Sequence, residues 1–156
     1  GSELSEKAVA YVKQLLTPGG HVTLLTVVDL PDVSAYSLYP LSASMDYYNE
    51  ALTQAEAGAI DYIERMAEEL RRQEFQVDTI VATGVAAETI VDRAKSLEVD
   101  AIVISTHGRS GINQWLFGSV THKVLSRMPC PVFVIPGRSP APNQTGKSEE
   151  ASETNS

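Results

Sequence analysis

The feature that most constrains this chain is the alternation of two hydrophobic periods along it. Four short runs, His21 to Val28 (HVTLLTVV), Gln76 to Thr83 (QVDTIVAT), Asp100 to Ser105 (DAIVIS) and Pro131 to Ile135 (PVFVI), are rich in Val, Ile and Thr and read as strands. Between them, apolar residues recur every three or four positions, which puts them on one face of a helix. Leu4, Ala8, Tyr11, Val12 and Leu15 make such a stripe from Glu3 to Leu16, with Ser2 as N-cap and Thr17 to Gly20 as the stop. Leu52, Ala55, Ala59, Ile60, Ile63, Met66, Ala67 and Leu70 predict a long helix over Asn49 to Gln73, and Ile90, Val91, Ala94 and Leu97 a third over Ala87 to Leu97. A fourth is expected from Trp115 to Met128. Strands alternating with helices define an α/β fold, an open parallel sheet covered by helices on both faces with right-handed crossovers. Because its residues are mostly apolar, the strand at His21 to Val28 is expected to be buried on both sides.

Two segments break the alternation. Asp29 to Tyr48 holds two prolines and four tyrosines without steady periodicity, and predicts a long loop, with room for a helical turn, that serves as a cover or a mobile segment. Beyond Pro136 the chain turns to Ser, Pro, Glu and Asn with no large apolar residue, too little to offset the entropy of ordering. The expected organisation is one domain over 1–137 and a disordered tail over 138–156.

Charge and cysteine content exclude several functions. Twenty acidic against 12 basic residues leave a formal charge of -8, which repels nucleic acid and anionic lipid. A single cysteine, Cys130, forms no internal disulfide and no multi-thiolate metal site, as a reducing cytoplasmic compartment predicts. No apolar run approaches a membrane span, and no leader pattern is present. His21, His107 and His122 lack metal-ligand spacing.

The candidate site lies after the third strand, in STHGRSGINQWLFGSVTHKVL, because ligands of parallel sheets gather beyond the carboxyl ends of the strands. Gly108, Gly111 and Gly118 allow positive φ and close approach to a ligand. Gly118, Ser119 and Val120 are expected in the early part of the last helix, where free N–H groups and the dipole suit a phosphate. Three such glycines serve equally well as a turn and a helix-packing site. Arg109 suits a phosphate oxygen or a solvated loop, and His107 has the pKa of a proton shuttle but no nucleophile or carboxylate beside it in sequence. No lysine follows as in the usual phosphate loop, and no catalytic set is visible.

The same stretch resembles the universal stress protein family, whose loop is written Gly, two residues, Gly, nine residues, Gly, then Ser or Thr. Here Gly108, the nine residues Arg109 to Phe117, Gly118 and Ser119 match it. GSELSEKAV, LLTVVD, GVAAETIVDRAKSLEVDAIVIS and PCPVFVIP are also similar to the family, so the likeness covers Gly1 to Pro136. It implies a Rossmann-like fold of the adenine nucleotide alpha hydrolase kind and an ATP-binding stress-response module with slow hydrolysis at most. Gly108, Gly118, Ser119 and Val120 would hold phosphates and ribose, Val27 would contact adenine, and Mg²⁺ would arrive with ATP. It further implies a homodimer joined through Pro131, Val132, Phe133, Val134 and Ile135. Two departures stand out. Ser105 occupies the place of the first loop glycine, which leaves open a scaffold that binds no nucleotide. The family's first strand, central in its sheet and ending in an acidic residue, lies ahead of the point matched by Gly1, so the expectation is an N-terminally truncated domain whose sheet lacks its centre.

Overall fold

Thr17, Pro18, Gly19 and Gly20 stop the first helix, α1 (Glu3–Leu15), and deliver the chain into the first strand, β1 (His21–Val28). Gly20 N–H returns to the Thr17 carbonyl at 3.0 Å, and Gly19 stands at φ 87°, a setting that favours glycine. The next helix and strand, α2 (Leu41–Arg71) and β2 (Gln76–Thr83), join through a similar turn. There Gln73, Glu74 and Phe75 N–H groups satisfy the last carbonyls of α2, and Glu74 adopts φ 67°. The two turns are tied together: Gly19 N–H donates to the Glu74 carbonyl and Gln76 N–H to the Gly20 carbonyl, both at 3.0 Å. The remaining elements are α3 (Ala86–Ser96), β3 (Ile102–Thr106), α4 (Ser119–Arg127) and β4 (Val132–Pro136). This computed structural model describes residues 3–29, 41–106 and 118–136.

All strand pairing among these residues is parallel, as the alternation predicts. β1 runs beside β2 with His21 opposite Gln76 and Val28 opposite Thr83, and β3 beside β4 with Ile102 opposite Val132 and Thr106 opposite Pro136. Among the described residues the strands form two separate parallel pairs, with no ladder between one pair and the other. α1 touches α2, β3 and β4, and α2 packs on β1 and β2; α3 and α4 pack on each other, with α3 also against β1 and β2. One core joins Val12, Val22, Leu70 and Phe75, and Val103 from β3 packs against it, so the two pairs share apolar contact. The other joins Ala87, Val91 and Val124. Leu70 and Val124 are wholly buried. Enclosing each such side chain stabilises the fold by about 1.5–3 kcal/mol.

Three expectations are corrected. β1 is less buried than its apolar run suggests: only Val22 and Val28 are buried and Thr23 to Val27 are half-buried, since among the described residues one edge of the strand has no ladder partner. The segment Asp29 to Tyr48 is not loop throughout, since α2 begins at Leu41, eight residues before the expected Asn49. Pro40 precedes it in sequence, where proline suits a helix start. The last helix does not run through from Trp115: Gly118 is extended (φ -58°, ψ 159°) and acts as N-cap, so α4 starts at Ser119. The tail over 138–156, and the expectation of disorder there, lie outside the described residues.

Candidate functional site

The candidate residues that are described lie near the carboxyl ends of β1 and β3 and at the start of α4. Val27 sits in β1 opposite Ala82, half-buried, one residue from the strand's end. Val28 offers its carbonyl to Gly84 N–H at 3.1 Å, which closes the top of the first pair. Ser105 lies within β3, opposite Ile135 and half-buried. Its φ is not positive, so a serine adopts this backbone without strain; what it adds relative to glycine is a Cβ and a hydroxyl.

Gly118 needs no left-handed backbone, contrary to the expectation of positive φ, and among the described residues a Cβ built on it would meet nothing within 4 Å. Open space beside the main chain is what its lack of a side chain provides. The first bond of α4 runs from His122 N–H to the Gly118 carbonyl at 2.9 Å, so the N–H groups of Ser119, Val120 and Thr121 have no partner within the helix. The partial positive charge of the helix start adds to theirs. Ser119 is exposed, whereas Val120 turns its side chain toward Ala87, Val91 and Val124, so Val120 can offer a ligand only its main chain. His107, Gly108, Arg109 and Gly111 lie outside the described residues, as do Trp115, Leu116 and Phe117.

Sequence reasoning missed two features at this end. α3 starts beside the end of β2 with its own unbonded N–H groups, at Ala86, Ala87 and Glu88, since the first bond is Thr89 N–H to the Val85 carbonyl at 3.0 Å. The signal was Gly84, held at φ 145° with Thr89 Oγ1 only 3.2 Å from where a Cβ would stand. The second feature is the seam between α2 and β2. Thr83 Oγ1 donates to Glu56 at 2.7 Å, Thr79 Oγ1 to Glu64 at 2.6 Å, and Arg71 bonds Glu64 and the Val77 carbonyl, both at 3.0 Å. The Thr79 hydroxyl, then Arg71, hold the Glu64 carboxyl below its usual range. Lys13, 2.7 Å from Glu69, does the same there. Threonines in a strand and glutamates in a helix gave no sign that they would meet.

No group of three or more His, Cys, Asp or Glu among the described residues is placed to hold a metal ion. No helix among them is long and apolar enough to cross a membrane.

Parallel strands, helices on both sides and helix starts facing the strands' carboxyl ends define a Rossmann-like α/β protein. The family model for the universal stress protein family matches residues 1–136, and the chain belongs to that family. It is 29% identical over 143 residues to universal stress protein MJ0577 of Methanocaldococcus jannaschii, covering 86% of this chain and 88% of that one. It is 28% identical to YxiE of Bacillus subtilis, covering 86% and 93%. Among solved structures it superimposes on MJ0577 with a TM-score of 0.74 over 90% of this chain and 92% of the other. It also matches UspA from Lactobacillus plantarum, with a TM-score of 0.64, 26% identity, and 83% and 85% covered.

Proposed function

We propose that this chain is an ATP-binding stress-response module of the cytoplasm, in which nucleotide occupancy governs partner choice and hydrolysis is slow at most. The observation that carries the reading is the start of α4: three N–H groups without intrahelical partners, on a helix whose N-cap leaves space beside it. Such a start grips a phosphate without basic side chains, which suits a protein of net charge -8. Val27 and Ser105 would flank the base and ribose. The described carboxylates form no metal site of their own, so Mg²⁺ would come with the nucleotide and neutralise phosphate charge. Isothermal calorimetry with ATP tests this. Gly118→Val puts a branched side chain into the open space and is expected to abolish measurable binding while circular dichroism stays unchanged. Unaltered affinity in that variant would refute the reading.

Assembly is the second part of the proposal, and Phe133 supports it. This residue of β4 is 44% exposed, on a strand whose one ladder among the described residues is to β3. An apolar strand of that kind pairs readily with another copy, here through Pro131 to Ile135. Light scattering is expected to give a dimer for the parent chain and a monomer for Phe133→Asp. A dimeric Phe133→Asp would place the interface elsewhere. If ATP binding fails and the dimer persists, the chain is a scaffold.

A further inference from the structure

α2 is far longer than the strand it covers. Its 31 residues span about 46 Å at ~1.5 Å each, against about 26 Å for the eight residues of β2 at ~3.3 Å each. The bonds between them fix how they align: Arg71 reaches Val77, Glu64 reaches Thr79, and Glu56 reaches Thr83, the last residue of β2. Residues 41–55 therefore project roughly 20 Å beyond the strand as a helical arm.

The arm keeps an apolar stripe after the sheet beneath it has ended. Met45, Tyr48, Leu52 and Ala59 continue at helical spacing the line of Ile63, Ala67 and Leu70 that builds the core. Ile63, Ala67 and Leu70 are buried, but Met45 is 51% exposed, and Ile60, flanking the stripe, is 50% exposed. The charges beside the stripe have one sign. From residue 41 to 64 the helix carries Asp46, Glu50, Glu56, Asp61 and Glu64 and no Lys, Arg or His. Glu56 and Glu64 accept hydrogen bonds from β2, while Asp46, Glu50 and Asp61 are exposed.

We propose that the projecting arm of α2 is a docking surface for a basic amphipathic helical segment of a partner protein. Apolar side chains of that segment lie along Met45, Tyr48 and Leu52, and its Lys and Arg residues meet Asp46 and Glu50. Charge decides among the occupants. A second arm would set Asp46 and Glu50 against their own copies, and anionic lipid or a phosphorylated peptide would meet the same repulsion. The proposal does not rest on the nucleotide reading: its residues all lie on α2, and its test is run without ATP.

Fluorescence anisotropy of the full chain with two labelled amphipathic helical peptides tests the proposal, one of Leu and Lys and one of Leu and Glu. The Leu/Lys peptide is expected to bind saturably and the Leu/Glu peptide not at all. The double variant Asp46→Lys, Glu50→Lys and the single variant Met45→Ser should each weaken binding about tenfold or more, a hot-spot-sized effect, with circular dichroism unchanged. Asp78→Lys, at the opposite end of β2, should leave it unaltered. Equal weakening by Asp78→Lys would show a response to net charge alone and overturn the proposal. Retained affinity in Met45→Ser would overturn it too, as would binding of the Leu/Glu peptide. A self-association of the chain abolished by Met45→Ser would assign the stripe to a second copy instead.

Discussion

The two halves of the molecule are both parallel strand pairs, yet they are secured by different means. In the β1–β2 half, large side chains meet in the core, the two helix-to-strand turns share main-chain bonds, and Glu56, Glu64 and Arg71 fasten the covering helix to β2. The β3–β4 half rests on smaller residues, Ala87, Val91 and Val124, and β4 shows Phe133 to solvent. The difference teaches that polar bonds as well as packing fasten the covering helix of the first half, while the second half leaves an apolar strand side chain, Phe133, exposed. The halves still depend on each other, because Val103 of β3 packs into the first core and α3 lies against β1 and β2.

The strongest test of that dependence is Leu70→Ala. It removes a wholly buried side chain from the first half and should cost about 2–5 kcal/mol. If the halves are one cooperative unit, hydrogen exchange will show protection falling in β3 and β4 together with β1 and β2. Protection retained in β3 and β4 would break the comparison into two independent units. Val124→Ala asks the same question from the other side, with an expected loss of about 2 kcal/mol, smaller because fewer methyl groups leave. Chemical denaturation of both variants should give single transitions that differ in midpoint.

A weaker effect comes from acid. Glu64 and Glu69 titrate below their usual 4.5 in the folded chain, through Thr79 and Arg71 in one case and Lys13 in the other. A carboxylate with a lowered folded pKa stabilises the native state above its unfolded pKa, and that contribution disappears as pH falls through the folded value. Melting temperature should therefore drop on acidification from pH 6 toward the lowered values, and Glu64→Gln should flatten part of that slope. Both side chains are close to half exposed, so the effect is small and screened by salt. A slope identical in Glu64→Gln would show that the α2–β2 seam contributes nothing to it.

Most of the architecture was legible because strands and helices in such folds carry different periods. HVTLLTVV and QVDTIVAT are strands with the bounds their apolar runs indicate, and DAIVIS and PVFVI differ by a residue or two at their ends. The start of α2 was hidden because Ser42, Ala43, Ser44 and Tyr47 dilute the stripe that Met45, Tyr48 and Leu52 carry. At the candidate site the sequence puts the helix start at Trp115 rather than Ser119, because the apolar Trp115, Leu116 and Phe117 extend the amphipathic run backward across Gly118. The negative φ of Gly118 was not legible, as glycine permits either sign. Pairs distant in sequence, such as Thr83 with Glu56, have no local signature at all.

The stitching of Gly19 to Glu74 and of Gln76 to Gly20 has an engineering consequence. A guest sequence spliced into either corner would unpick both corners at once, so grafting belongs away from them.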